Sequence, residues 1–247
     1  MTSFLVNVDH IATLRNARRE QFPDPVHAAA ICESAGADGV VFHLREDRRH
    51  ITERDVRLLK ETVQGRLDFE LSTSEEVVRI CCEIMPDVAT LVPERREEVT
   101  TEGGLDVIAN DYQLRDVIPE LIQSGIPEIS LFVDPDPRQI EHSAEVGATC
   151  VELHTGDFAN AATMEVQLRE AERLAAGARF ANSLGLKVHA GHGLYYHNYP
   201  VFGSHVPFVE EVSIGFAIIA RGILTGLHKA VEDMNRLVKE RYDTEIV

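Results

Sequence analysis

Apolar residues in this chain gather in short runs, and the flanks of those runs repeat. In SAGADGVVFHL (34–44), SGIPEISLFVD (124–134), EVGATCVELHTG (145–156) and SLGLKVHAGHG (183–193), a helical stretch stops at glycine, a β-rich run follows, and a polar loop comes next. Glycine ends a helix cheaply because it tolerates the left-handed conformation, and a continuous Val/Ile/Leu-rich run suits a strand covered on both faces. Eight such runs predict strands at Phe4–Asp9, Gly39–Leu44, Leu67–Leu71, Val88–Val92, Glu128–Asp134, Thr149–His154, Leu186–Ala190 and Glu211–Ile214. Helical spacing between them predicts helices at Pro25–Ala35, Glu53–Val63, Ser74–Met85, Gln113–Ser124, Arg138–Glu145, Met164–Leu184, Phe216–Leu224 and Gly226–Tyr242. No Ser/Gly/Pro-rich linker splits the series, so the reading is one α/β domain over residues 1–247, a (β/α)8 TIM barrel with extra helices. An open, doubly wound sheet is the other architecture for this alternation. Its dinucleotide-binding form needs a G-x-G-x-x-G turn after the first strand, and none stands there.

Composition adds exclusions. With 44% apolar and 26% charged residues the chain has material for a substantial core, which argues against disorder. Its 24 basic and 41 acidic residues give a net charge of −17, which repels nucleic acid and anionic membranes, so neither is an expected partner. The start, MTSFLVNVDH, has no basic stretch followed by a long apolar run, and nothing later approaches a membrane span, so a cytoplasmic protein is expected. The cysteines at 32, 81, 82 and 150 form no C-x-x-C pair, and reduced, buried thiols are expected.

Barrel enzymes carry their chemistry at the C-terminal strand ends. Here those ends are polar: Asn7-Val-Asp9-His10, His43-Leu-Arg45, Asp68-Phe-Glu70, Glu152-Leu-His154 and Ala-Gly-His192-Gly193. Strand alternation predicts that Asn7 and Asp9, His43 and Arg45, and Glu152 and His154 point pairwise into the mouth. A single such residue is readily a satisfied interior polar group; five strand ends together favour a site. His43, Glu70 and His192 suit proton transfer near neutral pH. The competing reading is a metal-dependent barrel hydrolase of a phosphorylated small molecule. Against it, Asp9 and His10 are adjacent on the expected strand and should face opposite ways, and neither H-x-H nor H-E-x-x-H occurs.

Two arginine clusters, Arg15/Arg18/Arg19 and Arg45/Arg48/Arg49 followed by His50, lie in consecutive strand-end loops. Such runs are commonly solvated or salt-bridged, but their placement favours an anionic ligand. Ala190-Gly-His-Gly193 and Ser213-Ile-Gly215, the latter just before a helix, offer backbone N–H groups to a second anion. The charged segment 93–104, ending in Gly-Gly, reads as a lid or a plain surface loop.

The blocks VNVDHIATLRNAR (6–18), HLREDRRHI (43–51), LVPERREEVTTEGGLDV (91–107), ELHTG (152–156) and LGLKVHAGHGL (184–194) resemble the pyridoxine 5′-phosphate synthase family over essentially the whole chain. The resemblance implies a ring-closing transferase reaction. It joins two phosphorylated small-molecule substrates, 3-amino-2-oxopropyl phosphate and 1-deoxy-D-xylulose 5-phosphate, into pyridoxine 5′-phosphate without metal or organic cofactor. It implies His43 and Glu70 as proton acceptors, His192 as proton donor and Glu152 as transition-state stabiliser. Asp9, His10, Arg45, His50 and Thr100 are implied to hold the deoxyxylulose phosphate; Asn7, Arg18, Gly193, Gly215 and Phe216 the amino-ketone phosphate. A homo-oligomer, up to an octamer built from dimers, is implied as well, with Arg18 acting across a subunit boundary. One departure stands out: the family commonly has Ile-Gly-His after the last strand, and this chain has Ile214-Gly215-Phe216. A backbone contact to phosphate survives that change, a histidine contact does not, and His205 and Pro207 are candidates to compensate.

Overall fold

The computed structural model describes residues 1–94, 103–240 and 242. Eight strands, β1 (Ser3–Asn7), β2 (Gly39–His43), β3 (Arg66–Leu71), β4 (Val88–Leu91), β5 (Glu128–Val133), β6 (Cys150–His154), β7 (Lys187–Gly191) and β8 (Val209–Ile214), pair in parallel and in chain order. Pairing of β1 with β8, Leu5 against Ser213 and Val6 against Ile214, closes the barrel. The helices are α1 (Asp9–Asn16), α2 (Pro25–Ser34), α3 (Glu53–Thr62), α4 (Glu75–Ile84), α5 (Asp111–Gln123), α6 (Pro137–Glu145), α7 (Gly156–Ala159), α8 (Met164–Ser183), α9 (Tyr199–His205), α10 (Phe216–Thr225) and α11 (Leu227–Lys239). The eight strands and the helices between them match the sequence expectation within a few residues, and α1, α7 and α9 are the additional helices.

The first strand is shorter than expected. The Asn7 side-chain oxygen accepts the Asp9 N–H at 2.9 Å, and the Val8 carbonyl accepts from Ile11 at 3.0 Å, so the chain turns into α1 where alternation predicted more strand. Asp9 and His10 therefore sit in one helical turn rather than on opposite strand faces.

Alternation along each strand sorts the core. Phe4, Val6, Val40, Phe42, Leu67, Phe69, Ile129, Leu131, Val151, Val188 and Val212 face outward and are fully or almost fully buried beneath the helices. On α11, Ala230, Val231, Met234 and Val238 form the buried stripe, and each larger side chain there contributes about 1.5–3 kcal/mol through its removal from water. The glycine stops behave as the pattern predicts: Gly36, Gly125, Gly147 and Gly185, after α2, α5, α6 and α8, all have positive φ. Inward positions are different, for the upper barrel interior is polar: Asn7, His43, Glu70, Thr90 and Glu152 are all buried there.

Among the described residues no helix is long and apolar enough to cross a membrane. Cys32, Cys81 and Cys150 are buried and Cys82 half-buried, all as free thiols, and burial pushes Cys32 and Cys150 up to about 12.

Candidate active site

A cavity of about 970 Å³ opens at the C-terminal ends of the strands. Asn7, His43 and Glu70 reach it from the barrel interior; Asp9, His10 and Thr13 from α1; Arg45, Arg49 and His50 from the loop after β2; His192, Gly193 and Tyr195 from the loop after β7; Gly215, Phe216 and Ala217 from the start of α10.

Glu70 lies at the bottom, 1% exposed. Burial first, then the nearby Glu152, Asp9 and Asp68 carboxylates, push it well above the ordinary range; a hydrogen bond from Asn7 Nδ2 at 3.4 Å opposes them. Asp68, one layer deeper and bonded to the Thr90 hydroxyl at 2.8 Å, is pushed up in the same way by burial, Glu211 and Glu152. Protons are thus held firmly in the barrel interior. Glu152 Oε1 is 3.6 Å from His192 Nδ1, and the His192 ring packs on Phe132 at 4.3 Å between centroids. His192 has φ +59, a left-handed conformation unusual away from glycine and costing about 1–2 kcal/mol. Gly191 beneath it leaves room for that carboxylate: a Cβ there would fall 2.0 Å from Glu152 Oε1, which would have to move.

His43 is buried, its amide donating to Asp9 Oδ1 at 2.9 Å and its Nε2 lying 2.8 Å from Glu94 Oε1. His50 Nδ1 accepts the Ile51 N–H at 3.0 Å, which leaves Nε2 to carry the ring proton. Burial, outweighing Asp9, lowers the proton affinity of both His10 and His50, so these rings are neutral at pH 7 and serve as hydrogen-bonding groups. His154 bonds Asp134 at 2.9 Å. Among the described residues, His10 Nδ1, Glu70 Oε1, Glu152 Oε1 and His192 Nδ1 are buried without a hydrogen-bond partner.

The arginines divide. Arg45, 3% exposed, lies against Asp47 at 3.3 Å and reaches the cavity with Arg49. Arg15 turns inward and clamps Asp55 with two 2.8 Å hydrogen bonds, while Arg48 binds Glu53 and Glu76; both are structural. Arg18 and Arg19 are exposed beyond α1, and Arg18 does not line the cavity of a single chain. At the opposite rim, Gly193 at φ +126 and the N-terminus of α10, capped by Gly215, present backbone N–H groups. Phe216 lies there half exposed, 5.4 Å from the His10 ring.

Of the residues expected from sequence, the cavity gathers Asn7, Asp9, His10, His43, Arg45, His50, Glu70, His192, Gly193, Gly215 and Phe216, with Glu152 against His192 just below. Thr100 lies outside the described residues, as does most of the 93–104 segment. His205 and Pro207 stand near the start of β8, at the far end of the barrel, and cannot compensate for Phe216. Glu94, Thr13, Tyr195 and Asn160 escaped sequence reading; only Glu94 carried a signal, as a carboxylate in the loop at a strand end.

Among the described residues three groups have metal-ligand spacing, their donor atoms within 4.8 Å of one another: Asp9/His43/His50 and Glu70/Glu152/His192 at the site, and Glu128/Cys150/His189 away from it. Asp9 and His10 share a turn of α1, so their adjacency in the chain does not set them on opposite faces. The metal reading is weakened because one oxygen of Asp9 and one nitrogen each of His43 and His50 are already taken, by the His43 amide, Glu94 and the Ile51 amide.

Buried carboxyls at the bottom, with arginines and backbone N–H groups at the rim, give this (β/α)8 barrel a cavity suited to acid–base chemistry on small anionic molecules. Relatives agree. The profile of the family described as pyridoxal phosphate biosynthesis protein PdxJ matches residues 4–240. Pyridoxine 5′-phosphate synthase of Salinibacter ruber is 67% identical over 238 residues, covering 96% of this chain and 98% of its own length. The enzyme of that name from Synechococcus sp. is 55% identical with the same coverage of 96% and 98%. The chain belongs to the PdxJ family. Among solved structures, KGPDC from Streptococcus mutans superposes with a TM-score of 0.65 at 13% identity, covering 97% of this chain and 98% of its own. Phosphoribosyl anthranilate isomerase from Thermus thermophilus does so with a TM-score of 0.60 at 14% identity, covering 96% and 98%. At that identity the likeness concerns the barrel alone.

Proposed function

We infer that this chain is a pyridoxine 5′-phosphate synthase, condensing 3-amino-2-oxopropyl phosphate with 1-deoxy-D-xylulose 5-phosphate and releasing phosphate and water. The observation that carries the reading is one cavity in which buried proton-transfer groups meet anion grips on two sides, in a chain of this family. The substrate amine attacks the ketone of the deoxyxylulose phosphate, and water leaves to give an imine. Loss of phosphate, aldol-type closure and aromatisation follow, and each step moves protons. His43 and Glu70 accept them, Glu70 after first giving its held proton to substrate, and His192 donates. Glu152, 3.6 Å from His192, stabilises the positive charge that develops on the substrate as that ring's proton passes to it. The nitrogen comes from substrate, so no lysine Schiff base is needed, and Lys187 at the base of the barrel is tied to Glu128 at 2.6 Å. Arg45 and His50 bind the deoxyxylulose phosphate. Gly193, Gly215 and the α10 N-terminus bind the amino-ketone phosphate, the α10 end through backbone N–H groups that Phe216 retains.

Purified protein is expected to form pyridoxine 5′-phosphate from the two substrates without added metal, followed by product chromatography and phosphate release. Complete inactivity across pH and substrate concentrations overturns the reading. Activity abolished by chelator and restored by one metal would instead favour a metal-dependent enzyme.

Gly191→Ala tests the Glu152–His192 pair. The added methyl occupies the carboxylate position, so Glu152 is displaced, and kcat is expected to fall roughly 10²-fold, the effect of a displacement of about 1 Å in a reacting group. Unchanged steady-state kinetics would remove Glu152 from the mechanism.

We place the activity in the cytoplasm, a setting that suits four unpaired cysteines. We also propose a homo-oligomer in which a second copy brings Arg18 to the site. Leu14 on α1, Phe22 just beyond it, and Ile223 and Leu224 on the neighbouring α10 are 42%, 73%, 65% and 85% exposed, an apolar surface that a partner would cover. Sedimentation of a monomer at assay concentration would refute this.

A further inference from the structure

His43 has an imidazole whose two nitrogens must be assigned before it can act, and one residue makes that assignment. Glu94, on the loop that leaves β4, reaches across to β2 with a side chain only 7% exposed. Its Oε1 is 2.8 Å from His43 Nε2, and its Oε2 accepts the Glu46 N–H at 3.1 Å. Both oxygens are therefore engaged, and the carboxylate cannot turn without losing one bond. Nδ1 of His43 has no hydrogen-bond partner among the described residues.

We propose that Glu94 is a positioning residue for the synthase reaction: it holds His43 as the Nε2–H tautomer and so makes Nδ1 the atom that takes the substrate proton. Resting on the synthase reading, this assignment adds to it which nitrogen acts and what orients it. An ionised carboxylate only accepts, so a nitrogen at 2.8 Å from it must carry hydrogen. Glu94 is ionised: burial raises its proton affinity, but the bond with His43 and the attraction of that ring, the Glu46 amide and Arg45 together outweigh burial and hold it below the usual range. When a substrate C–H or N–H bond breaks, its electron pair stays with substrate and the proton joins the Nδ1 lone pair. Nε2–H remains in place, and the resulting imidazolium lies against the Glu94 carboxylate, which stays deprotonated throughout. The bond to Glu46 has a purely structural use as well, tying the loop after β4 to the loop after β2. The experiment must separate the two.

Three readouts do so. In uniformly 15N-labelled protein, the His43 ring, assigned by the signal lost in His43→Asn, is expected to show a protonated Nε2 and a bare Nδ1 in its neutral form. In Glu94→Gln, whose amide can also donate, the tautomers are expected to mix. Steady-state kinetics of Glu94→Gln are expected to show kcat lowered about 10- to 100-fold, the usual cost of losing a residue that orients a functional histidine, with KM within about threefold of the parent. Glu94→Asp is expected to recover part of kcat. A parent ring protonated on Nδ1, or a Glu94→Gln protein with parental kcat, overturns the proposal, as does a change confined to KM or thermal stability. Should the variants fail to fold, the parent spectrum alone decides. A parent without synthase activity but with the Nε2–H ring would refute the functional reading and leave the Glu94–His43 assignment standing.

Discussion

Replacing Glu70 by glutamine is expected to lower kcat by about 10²–10⁴-fold while making the protein more stable at neutral pH. The first effect follows from its place at the bottom of the cavity, 1% exposed, where it takes and returns protons. The second follows from the same burial. Because burial and the Glu152, Asp9 and Asp68 carboxylates raise its folded-state pKa, the folded protein binds this proton more tightly than the unfolded chain does. Stability then falls as pH rises from the unfolded carboxyl value of about 4.3 toward the folded one, since over that window the native state holds the extra proton. Glutamine has nothing to ionise. The variant should melt above the parent at pH 7 to 8, and the gap should shrink toward pH 4. Thermal melts across that range with turnover at one pH test both halves. Equal stability at every pH would mean that Glu70 is not held protonated, and full turnover would remove it from the mechanism.

Asp55→Ala carries the largest expected loss of stability. Asp55 is fully buried and accepts from Arg15 Nη1 and Nη2, both at 2.8 Å, from the Thr52 amide at 3.0 Å and hydroxyl at 2.9 Å, and from Arg54 at 3.1 Å. Truncation leaves Arg15, 7% exposed, as a buried charge without its carboxylate, and removes the reciprocal cap of α3. Breaking such a pair costs about 3–5 kcal/mol, on the order of 10 °C in Tm for a domain of this size. Arg15 also donates to the His50 carbonyl at 3.0 Å, and Asn16 beside it does so at 2.9 Å, so the loop carrying His50 should loosen and KM should rise. Burial alone would push Asp55 up, but the bonds from Arg15, Thr52 and Arg54 together hold it below the usual range. That depressed pKa fixes the sign: the contribution is complete above the unfolded value of about 3.9 and disappears as pH falls through the folded one, so parent and variant should converge on acidification. Pairing Asp55→Leu with Arg15→Met should recover much of the lost stability, because no charge is then left buried. Failure to recover would point to the cap rather than the ion pair.

Both predictions start from residues that the sequence presents differently. Glu70 was legible: a carboxylate at a strand end, on the same side of the strand as Asp68, is a local feature of period two. Arg15 was not. It stands in a cluster with Arg18 and Arg19 that reads equally as solvated surface or anion grip, and only the fold shows it turned onto an aspartate forty residues later. Asp9 and His10 were identified as site residues but placed on a strand, because a hydrogen bond from the Asp9 amide to the Asn7 side chain that starts a helix leaves no periodic mark. The helices α7 and α9, four and seven residues long, are too short for helical periodicity to reveal. Phe216 was noticed as a departure at the eighth strand end; the structure shows that what the position supplies from its backbone, the start of α10, is intact.

The sequence by itself determined the barrel, its glycine-punctuated units and the set of polar strand ends, since strand alternation, helical spacing and glycine stops act over a few residues. The tertiary structure alone decided the partners and the proton affinities. Which carboxylate faces His43, whether an arginine meets ligand or Asp55, and how tightly Glu70 holds its proton depend on side chains brought together when β1 closes on β8, and on how completely that closure excludes water.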